Sequence, residues 1–346
     1  MKRAIAIAML GGLSMITLGC GNSSGGTKRL NGAGSSFVND MMLKWSSVYN
    51  KEKGIEVNYQ SVGSGAGVEK LKDKLVDFGC SDAPLSNDQL EEFKKIGGGA
   101  VHIPVVMGGV VVAYNLTGLD RPLRFSGPTL ADIFLGKIIK WNDAALQSLN
   151  PDVKLPDKSI AVVHRSDGSG TTDIWTDYLC KVSPEWKSKV GRHTVVEWPC
   201  GVGQKGSEGI SGHVGRTEGA IGYVELIYAA KNNIPYGLVK NKEGEFIKPT
   251  LESVTAAANG ALDEIPEDLR YSITDPKGKE SYPISGTTWA IVFVKQQPDK
   301  AVALNEFLRW ITHEGQKYAA ELQYAALPPR LVERVDKKLA LLTAGN

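Results

Sequence analysis

Between residues 163 and 172 the chain reads VHRSDGSGTT, which brings His164, Arg165, Asp167, Ser169 and Thr171 close together. Three chemistries use such residues: a Ser-His-Asp hydrolase, a nucleotide cradle, or a pocket for a small anion. The first two fail on detail. Asp167 stands where a nucleophile elbow needs glycine, and His164 lies too near Ser169 in sequence to serve as its base. Alternation along a strand running to Arg165 also sends His164 and Arg165 to opposite faces. The earlier loop GAGSSF puts Phe37 where a dinucleotide fingerprint needs its third glycine, and no Gly-Lys-Ser/Thr phosphate loop occurs.

The anion reading fits better. The planar fork of Arg165 suits a tetrahedral oxyanion, and Asp167 is placed to orient it. Each also has an ordinary alternative, a surface ion pair for Arg165 and a turn or cap for Asp167. GAGSSF, VGSGAG and GSGTT each sit at a strand-to-helix junction, where unpaired backbone N–H groups and a partial positive charge favour anions. Ser36, Ser64, Ser169 and Thr171 add hydroxyls there. Asp82, in GCSDAPL, is the odd member, because a carboxylate repels an anion unless the ligand carries a proton to donate. Phosphate near neutral pH does, and sulfate does not. Asp82 would therefore accept one ligand and reject the other, unless it simply caps a turn ahead of Pro84.

The elements that must position these loops repeat one order: extended segment, loop of small residues, helix. Phe37, Val38, Met41, Met42, Trp45, Val48 and Tyr49 recur at helical spacing, while Ile55, Val57 and Tyr59 alternate as a strand. Ser86 is placed to cap NDQLEEFKK. TLADIFLGKIIKW reads as a helix, and SIAVVH as the strand before the first loop. This alternation predicts an α/β architecture with mostly parallel sheets. Two long apolar segments, near 104–114 and 282–294, bracket the middle of the chain. They predict two crossings between lobes, with a bend at Gly108 and Gly109 and a ligand cleft between.

The 346 residues suffice for two domains, and 40 basic against 38 acidic residues leave a net charge of +2. That balance argues against broad electrostatic capture of nucleic acid, so an anion must be held by local geometry. The five histidines have no ligand spacing, so no metal is expected. Residues 1–20, with Lys2 and Arg3 ahead of an apolar run, read as an export signal. The segment resembles a bacterial lipoprotein signal closing on Cys20, although Thr17 stands where leucine is usual. Residues 21–27 read as a flexible linker. Cys180 and Cys200 are spaced for a disulfide in an exported protein, which leaves Cys80 over.

Taken in order, GAGSSF, YQSVGSGAGV, VDFGCSDAPLS, RSDGSGTTDIWTDYL and GAIGYVE resemble the phosphate-binding proteins of bacterial Pst-type ABC transporters. The resemblance spans essentially the whole mature chain. It implies a type II periplasmic-binding-protein fold, each lobe a mostly parallel sheet flanked by helices, joined by two crossover strands. Lobe I is expected at 28–108 and 285–346, and lobe II at 109–284. It also implies a monomeric binding protein rather than an enzyme, without cofactor, that captures inorganic phosphate for an ABC permease and its ATPase. By motif, Ser36, the Phe37 amide, Ser64 and Asp82 come from lobe I. Arg165, Ser169, the Gly170 amide and Thr171 come from lobe II, with Asp167 steadying Arg165. Ser36 stands where many members have threonine, and Cys80 where a small residue is common. His164 is assigned no role.

Overall fold

The computed structural model describes residues 29–345. The signal segment ending at Cys20 and the linker 21–27 lie outside the described residues. The strands that build the main sheet are β1 (Arg29–Gly34), β2 (Glu56–Ser61), β3 (Phe78–Ser81), β4 (Ala100–Tyr114), β5 (Ala161–Arg165), β6 (Val202–Gln204), β7 (Ala220–Glu225) and β8 (Ser285–Phe293). Their order across the sheet is β2-β1-β3-β8-β4-β7-β5-β6.

Both ends of this sheet are parallel: β1 pairs with β2 and β3, and β5 with β6 and β7. Each parallel set is connected through helices, as parallel pairing requires. The two long strands between them run antiparallel to their neighbours and join the sets into one continuous ladder. β4 pairs with β8 from Ala100 to Gly109, then with β7 from Val110 to Tyr114. Its apolar, β-branched sequence follows from burial on both faces. The strand runs unbroken through Gly108 and Gly109. Gly108 instead makes room for Phe37, whose Cζ would lie 2.7 Å from a Cβ there.

Helices cover both faces. Helix α1 (Asn39–Lys53) buries Met41, Met42, Trp45 and Tyr49 at the expected spacing. Ser86 caps the helix Asn87–Gly97 in a reciprocal capping box with Gln89. The helix expected through TLADIFLGKIIKW is shorter, spanning Gly127–Phe134. Gly136, at φ 74°, adopts a left-handed conformation that ends it. The C-terminal helices Ala301–Thr312 and Pro329–Leu339 return to pack on β4.

Candidate functional site: a hydroxyl-lined cleft

On the first wall, β1 ends at Gly34, with φ 142° and a would-be Cβ only 2.0 Å from the Cys80 carbonyl oxygen. That close approach lays the ends of β1 and β3 side by side and sets Ser35 against Asp82. Ser35 Oγ lies 2.6 Å from both carboxylate oxygens of Asp82 and accepts the Phe37 N–H at 2.9 Å. Thr288, on β8, donates to Asp82 Oδ1 at 2.6 Å. Helix α2 (Ser64–Lys72) begins at the same place. Ser64 Oγ donates to Asp82 Oδ2 at 3.4 Å and accepts the Asp82 N–H at 3.3 Å.

Asp82 is 2% exposed. Burial pushes its carboxyl up to about 7, against the pull of the Ser35 and Thr288 hydrogen bonds. The negative charge of Glu225 adds to the rise, and Arg165 opposes it.

On the second wall, β5 delivers Arg165. Its Nε and Nη2 donate to the two oxygens of Asp167 at 2.7 and 2.6 Å, and Nη1 lies 3.4 Å from Ser207 Oγ. Burial opposes the guanidinium charge, but the Asp167 fork outweighs it and holds Arg165 above its ordinary value. Helices α3 (Gly170–Val182) and α4 (Gly206–Arg216) both begin on this wall, and Asp167 ties the clamp to the start of α4 by accepting the Gly206 N–H at 3.1 Å. Ser169 caps α3 by accepting the Thr172 N–H at 3.1 Å. Thr171 donates its hydroxyl to Glu225 Oε1 at 2.6 Å.

The walls meet. Gly65 N–H donates to the Gly168 carbonyl at 2.9 Å, Ser36 Oγ lies 2.8 Å from Ser207 Oγ, and the Tyr228 hydroxyl donates to the Ser36 carbonyl at 3.0 Å. The first turns of α2, α3 and α4, with Ser64, Thr171 and Ser207 all buried, therefore face one small space. Three helix N-termini, one guanidinium and a set of hydroxyls supply donors, with two buried carboxylates among them. The larger open cavities, such as one of about 340 Å³ bordered by Lys74, Phe293 and Lys300, share no residue with this space.

Every residue expected from the motifs lies on one of these two walls, although some of their hydrogen bonds go elsewhere. The Phe37 N–H is taken by Ser35, and the Thr171 proton by Glu225. His164 faces away: its ring stacks on Trp198 at 4.7 Å, and Nδ1 pairs with the Arg165 carbonyl. The Cys180–Cys200 disulfide expected from spacing is not formed, and both thiols are free. Cys200 Sγ turns instead toward the carbonyls of Ile133 and Phe134.

Sequence reasoning missed Ser35, Ser207, Glu225 and Thr288. Glu225 left a signal, because it is a charged residue inside the apolar run AIGYVELIY. Thr288 left none, since threonine in SGTTWAIVF reads as an ordinary β-branched strand residue.

Residues 21–314 match the PBP superfamily domain. Proteins named phosphate-binding protein PstS, from Xylella fastidiosa and Pasteurella multocida, are 45% and 39% identical to this chain over 311 and 337 residues. Those alignments cover 89% and 97% of this chain, and 84% and 94% of the relatives. Among solved structures, the periplasmic phosphate-binding protein PfluDING, bound with phosphate, aligns with a TM-score of 0.71 at 19% identity, covering 89% of this chain and 93% of that one. A phosphate-binding protein from Stenotrophomonas maltophilia aligns with a TM-score of 0.65 at 19% identity, with the same coverage. At that identity the structures speak for the fold alone. With two parallel sheet halves joined by crossover strands and a donor-lined cleft between them, the chain belongs to the PBP superfamily. Within it, the sequence identity over nearly the full length makes it a member of the PstS phosphate-binding proteins.

Proposed function

We propose that this chain captures inorganic phosphate between its two lobes and delivers it to an ABC permease driven by an ATPase. The observation that carries the reading is Asp82, a buried acceptor set among donors. Phosphate supplies that acceptor with a P–O–H donor, and sulfate leaves it facing a bare anion. The other contacts are assigned to the hydroxyls of Ser36, Ser64, Ser169 and Thr171, the Phe37 and Gly170 amides, and Arg165. Asp167 holds the guanidinium in register. We place the division between lobes at 28–108 with 285–346 against 109–284, where β4 exchanges β8 for β7 as its partner.

The chain acts as a binding protein and not a hydrolase. In support, the Ser169 oxygen caps its own helix, and His164 is stacked on Trp198. It works as an exported monomer, held to a membrane through a lipid on Cys20. No helix among the described residues is long and apolar enough to cross a membrane. Equilibrium dialysis with radiolabelled phosphate tests the reading: one phosphate retained per chain supports it, and none retained rejects it.

A further inference from the structure

Glu225 ends β7 inside the cleft, on the same wall as Arg165, and is 1% exposed. Its Oε1 takes the Thr171 proton at 2.6 Å, while Oε2 has no hydrogen-bond partner among the described residues. The Ser207 hydroxyl approaches closely enough to favour the anion without completing a hydrogen bond. A threonine hydroxyl has a single proton. While Glu225 is ionised, Thr171 must donate inward and presents only lone pairs to an incoming anion. Once Glu225 carries a proton, its O–H donates to Thr171 Oγ, and the Thr171 proton is free to turn into the cleft.

We infer that phosphate capture is coupled to the uptake of a proton from solvent by Glu225, which thereby acts as a positioning residue for the Thr171 hydroxyl. This rests on the proposal that the cleft takes phosphate. The surroundings make the ionised form costly without neutralising it. From β5, Arg165 is the cation that faces Glu225, and Asp167 already occupies two of its donors. Asp82 faces it from the opposite wall as a second negative charge. The phenols of Tyr228 and Tyr324 lie within its field, and Glu208 accepts from Tyr228 at 2.9 Å. Burial already raises the Glu225 carboxyl, against the pull of Thr171 and Arg165. A bound phosphate adds negative charge at close range and raises it further.

Phosphate is titrated calorimetrically into the wild-type protein and Glu225→Gln, in buffers of differing ionisation enthalpy, between about pH 6 and about pH 9. A glutamine amide donates permanently to Thr171 and cannot titrate. Within part of that range the wild type should take up as much as one proton more than the variant. Its affinity relative to the variant should then fall by up to about tenfold per pH unit on the alkaline side. Equal proton counts and parallel pH profiles throughout overturn the inference. A wild type that binds no phosphate instead contradicts the proposed function. If Glu225→Gln does not fold, difference infrared spectra of Asp82→Asn at saturating phosphate provide the readout. A new protonated-carboxyl band on phosphate addition supports the coupling, and its absence overturns it.

Discussion

Gly170 lies so close to Asp82 that a Cβ on the glycine would sit 2.6 Å from the aspartate Cβ and 2.6 Å from Ser64 Oγ. The two residues come from opposite walls of the cleft, so their contact measures closure. Gly170→Ala should leave each lobe folded, since alanine suits the first turn of α3. It should stop the walls from meeting and weaken phosphate binding at least about tenfold, or about 1.4 kcal/mol. Small-angle scattering checks this, because phosphate should contract the wild type and leave the variant expanded.

Asp82 makes the unliganded protein sensitive to pH. Its folded value, about 7, lies above the ordinary 3.8, so the folded state binds more protons than the unfolded state between these values. Stability contributed by this group therefore falls as pH rises through that window and levels off above about 7. Asp82→Asn removes that loss. At about pH 8 the unliganded variant should melt above the wild type, by an amount reflecting a few kcal/mol at most. Its phosphate-induced rise in melting temperature should shrink. A variant that melts lower and keeps the full ligand shift would contradict the role given to the carboxylate.

Arg165 and Asp167 form a buried fork that lysine cannot reproduce. Arg165→Lys should cost about 2–5 kcal/mol in phosphate binding, mostly as faster release. Asp167→Asn keeps the guanidinium but loosens it, so its effect should be smaller. Stopped-flow dissociation rates distinguish this order from its reverse.

Thr288 reaches Asp82 from a crossover strand, outside every loop motif. Thr288→Val keeps the shape and removes the donor, and should weaken phosphate by about 1–2 kcal/mol. Thr288→Ser restores the hydroxyl and should recover most of that loss. If valine and serine behave alike, the hydrogen bond is not what matters.

The parts legible in the sequence were those with local causes. Apolar alternation and the small-residue junctions located the strands, the helix starts and the loops carrying Ser36, Ser64, Asp82 and Arg165. The helix through TLADIFLGKIIKW is shorter than its apolar spacing implies, because that spacing continues past Gly136, which ends the helix. Ser207 and Thr288 were invisible because only tertiary packing brings them to Ser36 and Asp82. Spacing alone suggested a Cys180–Cys200 bond, whereas Cys200 points to the Ile133 and Phe134 carbonyls. Glu225 stood out by type, a lone charge in a buried strand, but its partner Thr171 could be identified only in three dimensions.

The central claim is that a carboxylate among donors selects a protonated tetrahedral anion. Calorimetric titration of the wild-type protein with phosphate and, separately, sulfate at about pH 8, where Asp82 is ionised, tests it most directly. Asp82 takes hydrogen bonds from Ser35 and Thr288 in either case, so the discrimination rests on its charge, which repels an anion that has no proton to share, and phosphate should bind at least about tenfold more tightly. Equal affinity for the two anions would contradict it.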